Sequence, residues 1–161
     1  MKNANRLGLV LACLLVTIVT SVCVRADDAV LVFSGKVPGG AVTLTRDDIA
    51  KLPQRTLTEQ PTSFPAPIAF KGPSLAEVLK LAGATGGTIT LTAADDYAVD
   101  IAADEIKAFD PILAIEKDGA PMAPDDFGPF FVMWPFKETP EIDNETYQAK
   151  AIWSVVKIEV K

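Results

Sequence analysis

The sequence contains no histidine, and its 2 cysteines, Cys13 and Cys23, both precede residue 24. Ser-His-Asp and Cys-His catalysis therefore lack their imidazole. Beyond residue 23 the chain also offers no usual ligand for structural zinc, copper, haem or iron–sulfur clusters. A phosphate-cradling loop is missing as well, because Gly39-Gly40 and Gly86-Gly87 lack both a strand-to-helix context and a nearby basic residue of the required kind. Basic residues are few, 15 Lys and Arg against 21 Asp and Glu, for a net charge of −6. Such a surface repels polyanions, so neither nucleic acid nor an anionic membrane is an expected partner. A compact neutral or partly cationic ligand is compatible with it. With 161 residues, 49% of them hydrophobic, and 8 Phe, 2 Trp and 2 Tyr, the chain can build one ordinary core and one domain.

The N-terminal stretch has the order of a secretory leader. Lys2 and Arg6 precede an apolar run over residues 7–22, and Val24-Arg25-Ala26 places a cleavage site after Ala26. The run is short for a membrane span, which needs roughly 20 residues. The expected organisation is a signal peptide over 1–26 and a domain over 27–161, exported to the periplasm and without a stable membrane anchor after cleavage. Cleavage would remove Lys2, Arg6, Arg25 and both cysteines, and leave 12 basic residues against 21 acidic, a net charge of −9.

Within 27–161 the pattern predicts a single compact α+β domain, rich in β structure with a few short helices. Residues 30–33 and 42–44, joined by Pro38-Gly39-Gly40, read as a strand pair. Thr45 caps a short helix that carries Asp47 and Asp48 in its first turn and stops before Pro53. Pro61, Pro65, Pro67 and Pro73 predict a surface loop over 60–73, with Phe64, Ile68 and Phe70 turned inward. Ser74 and Glu77 form a capping box for a helix over 74–82, closed by Gly83. Strands follow at 88–92, 97–101 and 111–115, a helical turn at 103–108, a hairpin turn at Asp118-Gly119, and final strands at 130–134 and 151–160.

Acid and base chemistry would fall on Asp, Glu, Lys or Tyr. Asp95-Asp96, Asp125-Asp126 and Glu138 with Glu141 are the densest acidic spots, the first two beside turn formers. Residues 125–136 form the densest aromatic segment. Alternation assigns Phe131 and Met133 to the core and Phe130, Val132 and Trp134 to the other face, and Pro135 marks a strand leaving its sheet. Trp134 is thus the expected stacking platform for a flat heterocycle, while Trp153 reads as a core residue of the last strand.

Several of these segments resemble the sulfite-oxidase-type molybdopterin-binding domain. Residues 70–83, FKGPSLAEVLKLAG, are similar to its helix motif, Asp95-Asp96-Tyr97 to its Asp-Gly-Tyr turn, and 112–122, ILAIEKDGAPM, to its hairpin. Gly128-Pro129-Phe130 resembles its Gly-Pro-Leu-Arg strand, and residues 153–160 resemble its closing strand. The resemblance implies that family's fold. It also implies a metal-holding cysteine after a strand like Arg55-Thr56-Leu57-Thr58, where this chain has Glu59, and a phosphate-gripping arginine where it has Phe131. Without these groups no molybdenum is expected.

The departures match a small cysteine-free periplasmic subgroup, which implies a non-covalently bound free reduced pterin and a relay to the periplasmic sensor domain of a membrane cyclic-di-GMP enzyme. The expected ligand residues are Trp134 for stacking, Glu138 or Glu141 for the carboxylate that meets the pterin's N3–H and 2-amino group, and Tyr97 and Phe70 as cleft lining. The missing His and Cys favour a binding module over an enzyme. A molybdenum-free oxidoreductase-like enzyme, or an accessory protein of a redox system, is the alternative. A third reading makes the aromatic segment a docking patch for a partner.

Overall fold

The computed structural model describes residues 29–62 and 64–161. The expected leader, residues 1–26, lies outside the described residues. The largest sheet runs β2 (Ala41–Thr45), β1 (Val30–Gly35), β11 (Val155–Val160), β5 (Thr88–Ala93), β6 (Ala98–Ala102). All its pairings are antiparallel except β1 with β11, which brings the first and last strands together in parallel. One face is apolar because the strands alternate in register. Leu31 pairs with Leu44, Phe33 with Ile158, Ile158 with Leu91 and Ile89 with Ile101, and all of these are buried.

A second sheet has the order β3 (Arg55–Glu59), β4 (Ile68–Gly72), β8 (Glu116–Lys117), β9 (Ala120–Pro121). Asp118 and Gly119 both take positive φ, 49° and 82°, as a two-residue primed turn requires. Residues 68–72 correct the expected loop over 60–73. Pro61, Pro65 and Pro67 precede β4 and Pro73 follows it, so none interrupts its ladder with β3. Phe64 and Phe70 do face inward.

Between these sheets lies a two-stranded ribbon of β7 (Ile112–Ala114) and β10 (Phe131–Met133). All six of its residues are buried, so neither face meets water. Gly72 lets β4 approach this ribbon, since a Cβ there would sit 2.0 Å from the Leu113 carbonyl oxygen. The helices α1 (Arg46–Ala50), α2 (Leu75–Leu81), α3 (Ala103–Phe109) and α4 (Glu145–Gln148) are short. At α1 the Thr45 hydroxyl accepts from the Asp48 N–H and the Asp48 carboxylate accepts from the Thr45 N–H, completing a capping box. At α2 Ser74 caps through the Ala76 N–H instead of the expected box with Glu77.

Arg46 opens α1 with its side chain buried, donating to the carbonyls of Ile115, Met122 (3.0 Å) and Pro129 (3.0 Å). One guanidinium thereby ties the first hairpin to the β8–β9 hairpin and to the chain entering β10. Periodicity gave no sign of this role, because Arg46 sits beside Asp47 and Asp48 in an apparently solvated helix start.

Candidate functional site

Where β5 turns into β6, Asp95 Oδ1 accepts the Tyr97 N–H at 3.1 Å and Asp96 adopts φ 66°. This local hydrogen bond is the habit of aspartate in turns, and it holds Tyr97 out of the core at 50% exposure. Ala94 N–H donates to the Ser154 carbonyl at 2.9 Å, docking the turn against the segment that leads into β11. In that segment Ala151 and Ile152 are buried, Trp153 is 39% exposed, and Ser154 turns the chain with φ 53°. The Trp153 ring meets Phe127 at 5.7 Å and Phe131 at 6.1 Å between centroids, both edge to face. Its orientation is therefore fixed by packing from one side.

The other boundary is α4. Asn144 caps it by accepting the Thr146 and Tyr147 N–H groups, and the Tyr97 hydroxyl reaches the Ala149 carbonyl at 3.4 Å. Gln148 takes Thr62 Oγ1 at 3.5 Å on its oxygen and gives its amide to Asp143 at 2.8 Å. Together these elements enclose a cleft of about 500 Å³ lined by Thr62, Asp95, Tyr97, Glu145, Gln148 and Trp153 over an alanine and isoleucine floor. That volume suits a small ligand. Its charged lining residues, Asp95 and Glu145, are both acidic. A second groove of about 440 Å³ between α2 and α3 is lined by Ala76, Leu79, Ile89, Ile106 and two lysines, with no aromatic ring to stack on.

The placement of the expected site residues is mixed. Tyr97 lines the cleft. Trp134 does not: it is fully buried, its Nε1–H donates to the Lys150 carbonyl at 3.0 Å, and its ring packs at 5.0 Å on Tyr147. Phe70 is also fully buried, 5.0 Å from Phe131. Both assignments are corrected to core. Glu138 lies outside the cleft lining, paired with Arg55, whose other nitrogen holds Asp110 at 2.8 Å. Glu141 is exposed in the 140–142 turn, likewise outside the lining. The exposed cleft-lining aromatic that alternation missed is Trp153. The sequence signal available for it was the Trp-Ser pair before β11, which breaks the strand pattern.

Glu59 stands at the end of β3 with 2% exposure. Both carboxylate oxygens accept from the Lys137 backbone N–H, at 3.2 and 3.3 Å. Burial pushes its pKa above the usual carboxylate value, opposed by that N–H and by Lys137 and reinforced by Glu138 and Asp143. This donor set does not suit the thiolate-bound, phosphate-bearing group that the sequence resemblance implies. Hard oxygen replaces soft sulfur, and no described group of three or more His, Cys, Asp or Glu could hold a metal. Glu105, a second partly buried carboxylate, receives Lys150 at 2.6 Å, the Ala102 N–H at 2.9 Å and the Tyr147 hydroxyl at 3.0 Å. Burial would raise its pKa, but these three hydrogen bonds outweigh burial and lower it.

No protein-family model matches the chain, and no curated protein does. Among solved structures it is similar to the crystal structure of the sulfane dehydrogenase SoxCD from Paracoccus pantotrophus, with a TM-score of 0.61 and 14% identity. The alignment covers 84% of this chain and 39% of that one, so the chain spans well under half of that protein. At this identity the likeness concerns the fold alone. The domain has the expected α+β, β-rich architecture and shares its fold with part of that dehydrogenase.

Proposed function

We propose that this protein is a periplasmic binding module that holds a free reduced pterin in the Tyr97–Trp153 cleft and relays that state to the sensor domain of a membrane protein. The observation that carries the reading is the pairing, in one cleft, of two partly exposed aromatic rings with two carboxylates and no lining cation. A flat heterocycle stacks on such rings, at about 1–3 kcal/mol per ring in comparable base-stacking sites. A pterin's N3–H and 2-amino group form a two-donor edge that one carboxylate accepts. Glu145 is suited to that task, because no hydrogen bond occupies its carboxylate among the described residues. The periplasmic address rests on the leader reading of residues 1–26, and the relay rests on the sequence resemblance.

Calorimetric titration with a tetrahydropterin tests the reading. Saturable one-to-one binding that weakens by about 1–3 kcal/mol in Trp153→Ala supports it. Absence of binding to the wild-type protein contradicts it. Mass spectrometry of the small molecule that co-purifies separates this reading from the alternative, a molybdenum-free oxidoreductase-like enzyme or redox accessory protein: a single bound heterocycle supports a binding module, and a substrate–product mixture supports the enzyme.

A further inference from the structure

Resting on the heterocycle-binding reading just given, we infer that the cleft selects its ligand by charge, and that Asp95 and Glu145 make it accept the unphosphorylated heterocycle and reject the phosphorylated one. The two carboxylates come from different elements, the β5–β6 turn and α4, so a ligand lying between Tyr97 and Trp153 meets negative charge from both. Asp95 spends Oδ1 on the Tyr97 N–H, and among the described residues no hydrogen bond occupies its second oxygen. The nearby lysine and two N–H groups of α4 are committed elsewhere. Lys150, next to the lining residues Ala149 and Ala151, is held by Glu105 at 2.6 Å and lies 4.9 Å from the Tyr147 ring centroid. The N–H groups of Thr146 and Tyr147 at the start of α4 are taken by the Asn144 side chain. Thr62 and Gln148 are neutral, and Gln148 leads to a third carboxylate, Asp143. A phosphate on the ligand therefore brings like charge to like charge without a compensating cation in the lining.

The test compares a tetrahydropterin with the same compound carrying a phosphate ester on its side chain, each titrated calorimetrically into the purified protein at low and high salt. The phosphorylated form binds at least about tenfold more weakly at low salt, and the gap narrows at high salt as screening shortens the reach of both carboxylates. Glu145→Gln and Asp95→Asn keep side-chain volume, and Asn can still accept the Tyr97 N–H. In the double variant the ratio of the two affinities approaches one, even though both affinities fall. Equal affinities in the wild type overturn the inference while leaving the binding reading intact. A gap that survives the double variant and high salt also overturns it, because size rather than charge would then be the cause. If neither compound binds, the binding reading fails and charge selection falls with it.

Discussion

Glu59 carries a carboxylate into the interior, where among the described residues its hydrogen-bond donor is the Lys137 N–H. Its pKa is raised in the folded protein by burial. A raised carboxyl contributes stability that is full below its ordinary pKa and is lost as pH rises through the folded value. Glu59→Gln should therefore raise the melting temperature at pH 7, and the gain should shrink toward pH 4. A melting temperature that falls at pH 7 would mean the carboxylate is better satisfied than this geometry allows. The two tryptophans make an opposite pair. Trp134 is sealed in the core, and its truncation to alanine should cost about 3–5 kcal/mol in urea denaturation. A loss under about 1 kcal/mol would contradict the burial of its ring.

At the scale of elements, α1 is five residues long and depends on its cap. Hydrogen bonds from the Thr45 hydroxyl and backbone N–H, aided by Lys51, lower the pKa of Asp48 to about 2. A depressed carboxyl contributes stability that is present above its ordinary pKa and lost as pH falls through the folded value. Thr45→Ala should move the Asp48 titration, followed by NMR, up toward 3.8, the value without these bonds. An unchanged titration would show that the box is not formed. This cap was legible in the sequence, as were the β1–β2 pair, α2 and the Asp118-Gly119 hairpin, because each depends on residues within one turn of chain. The face of Trp134 was not legible. Alternation assumes one wet face, whereas β10 is a ribbon strand covered on both sides. Trp153 was misread for the complementary reason: it precedes β11, and the positive φ at Ser154 removes it from that strand's alternation. The first error arises from long-range packing, which local periodicity does not encode, and the second from a local break in the chain just before the strand.

For the whole molecule, the parallel pairing of β1 with β11 and the buried Arg46 guanidinium join parts of the chain that are remote in sequence. Arg46→Ala leaves the carbonyls of Met122 and Pro129 without their charged donor, and should destabilise the domain by about 3 kcal/mol or more. Urea denaturation checks it, and a change within about 0.5 kcal/mol would assign those carbonyls to other donors. The same long-range assembly brings the β5–β6 turn, the segment before β11 and α4 around one cleft, so the site is a product of the fold rather than of any motif. The central claim is that Trp153 forms the stacking wall of that cleft. The direct measurement is tryptophan fluorescence during titration with a tetrahydropterin, in the wild-type protein and in Trp153→Phe. The account predicts saturable quenching in the wild type that disappears in Trp153→Phe, with the emission of buried Trp134 left unchanged. Quenching of equal depth in Trp153→Phe, or none in the wild type at saturating ligand, would contradict it.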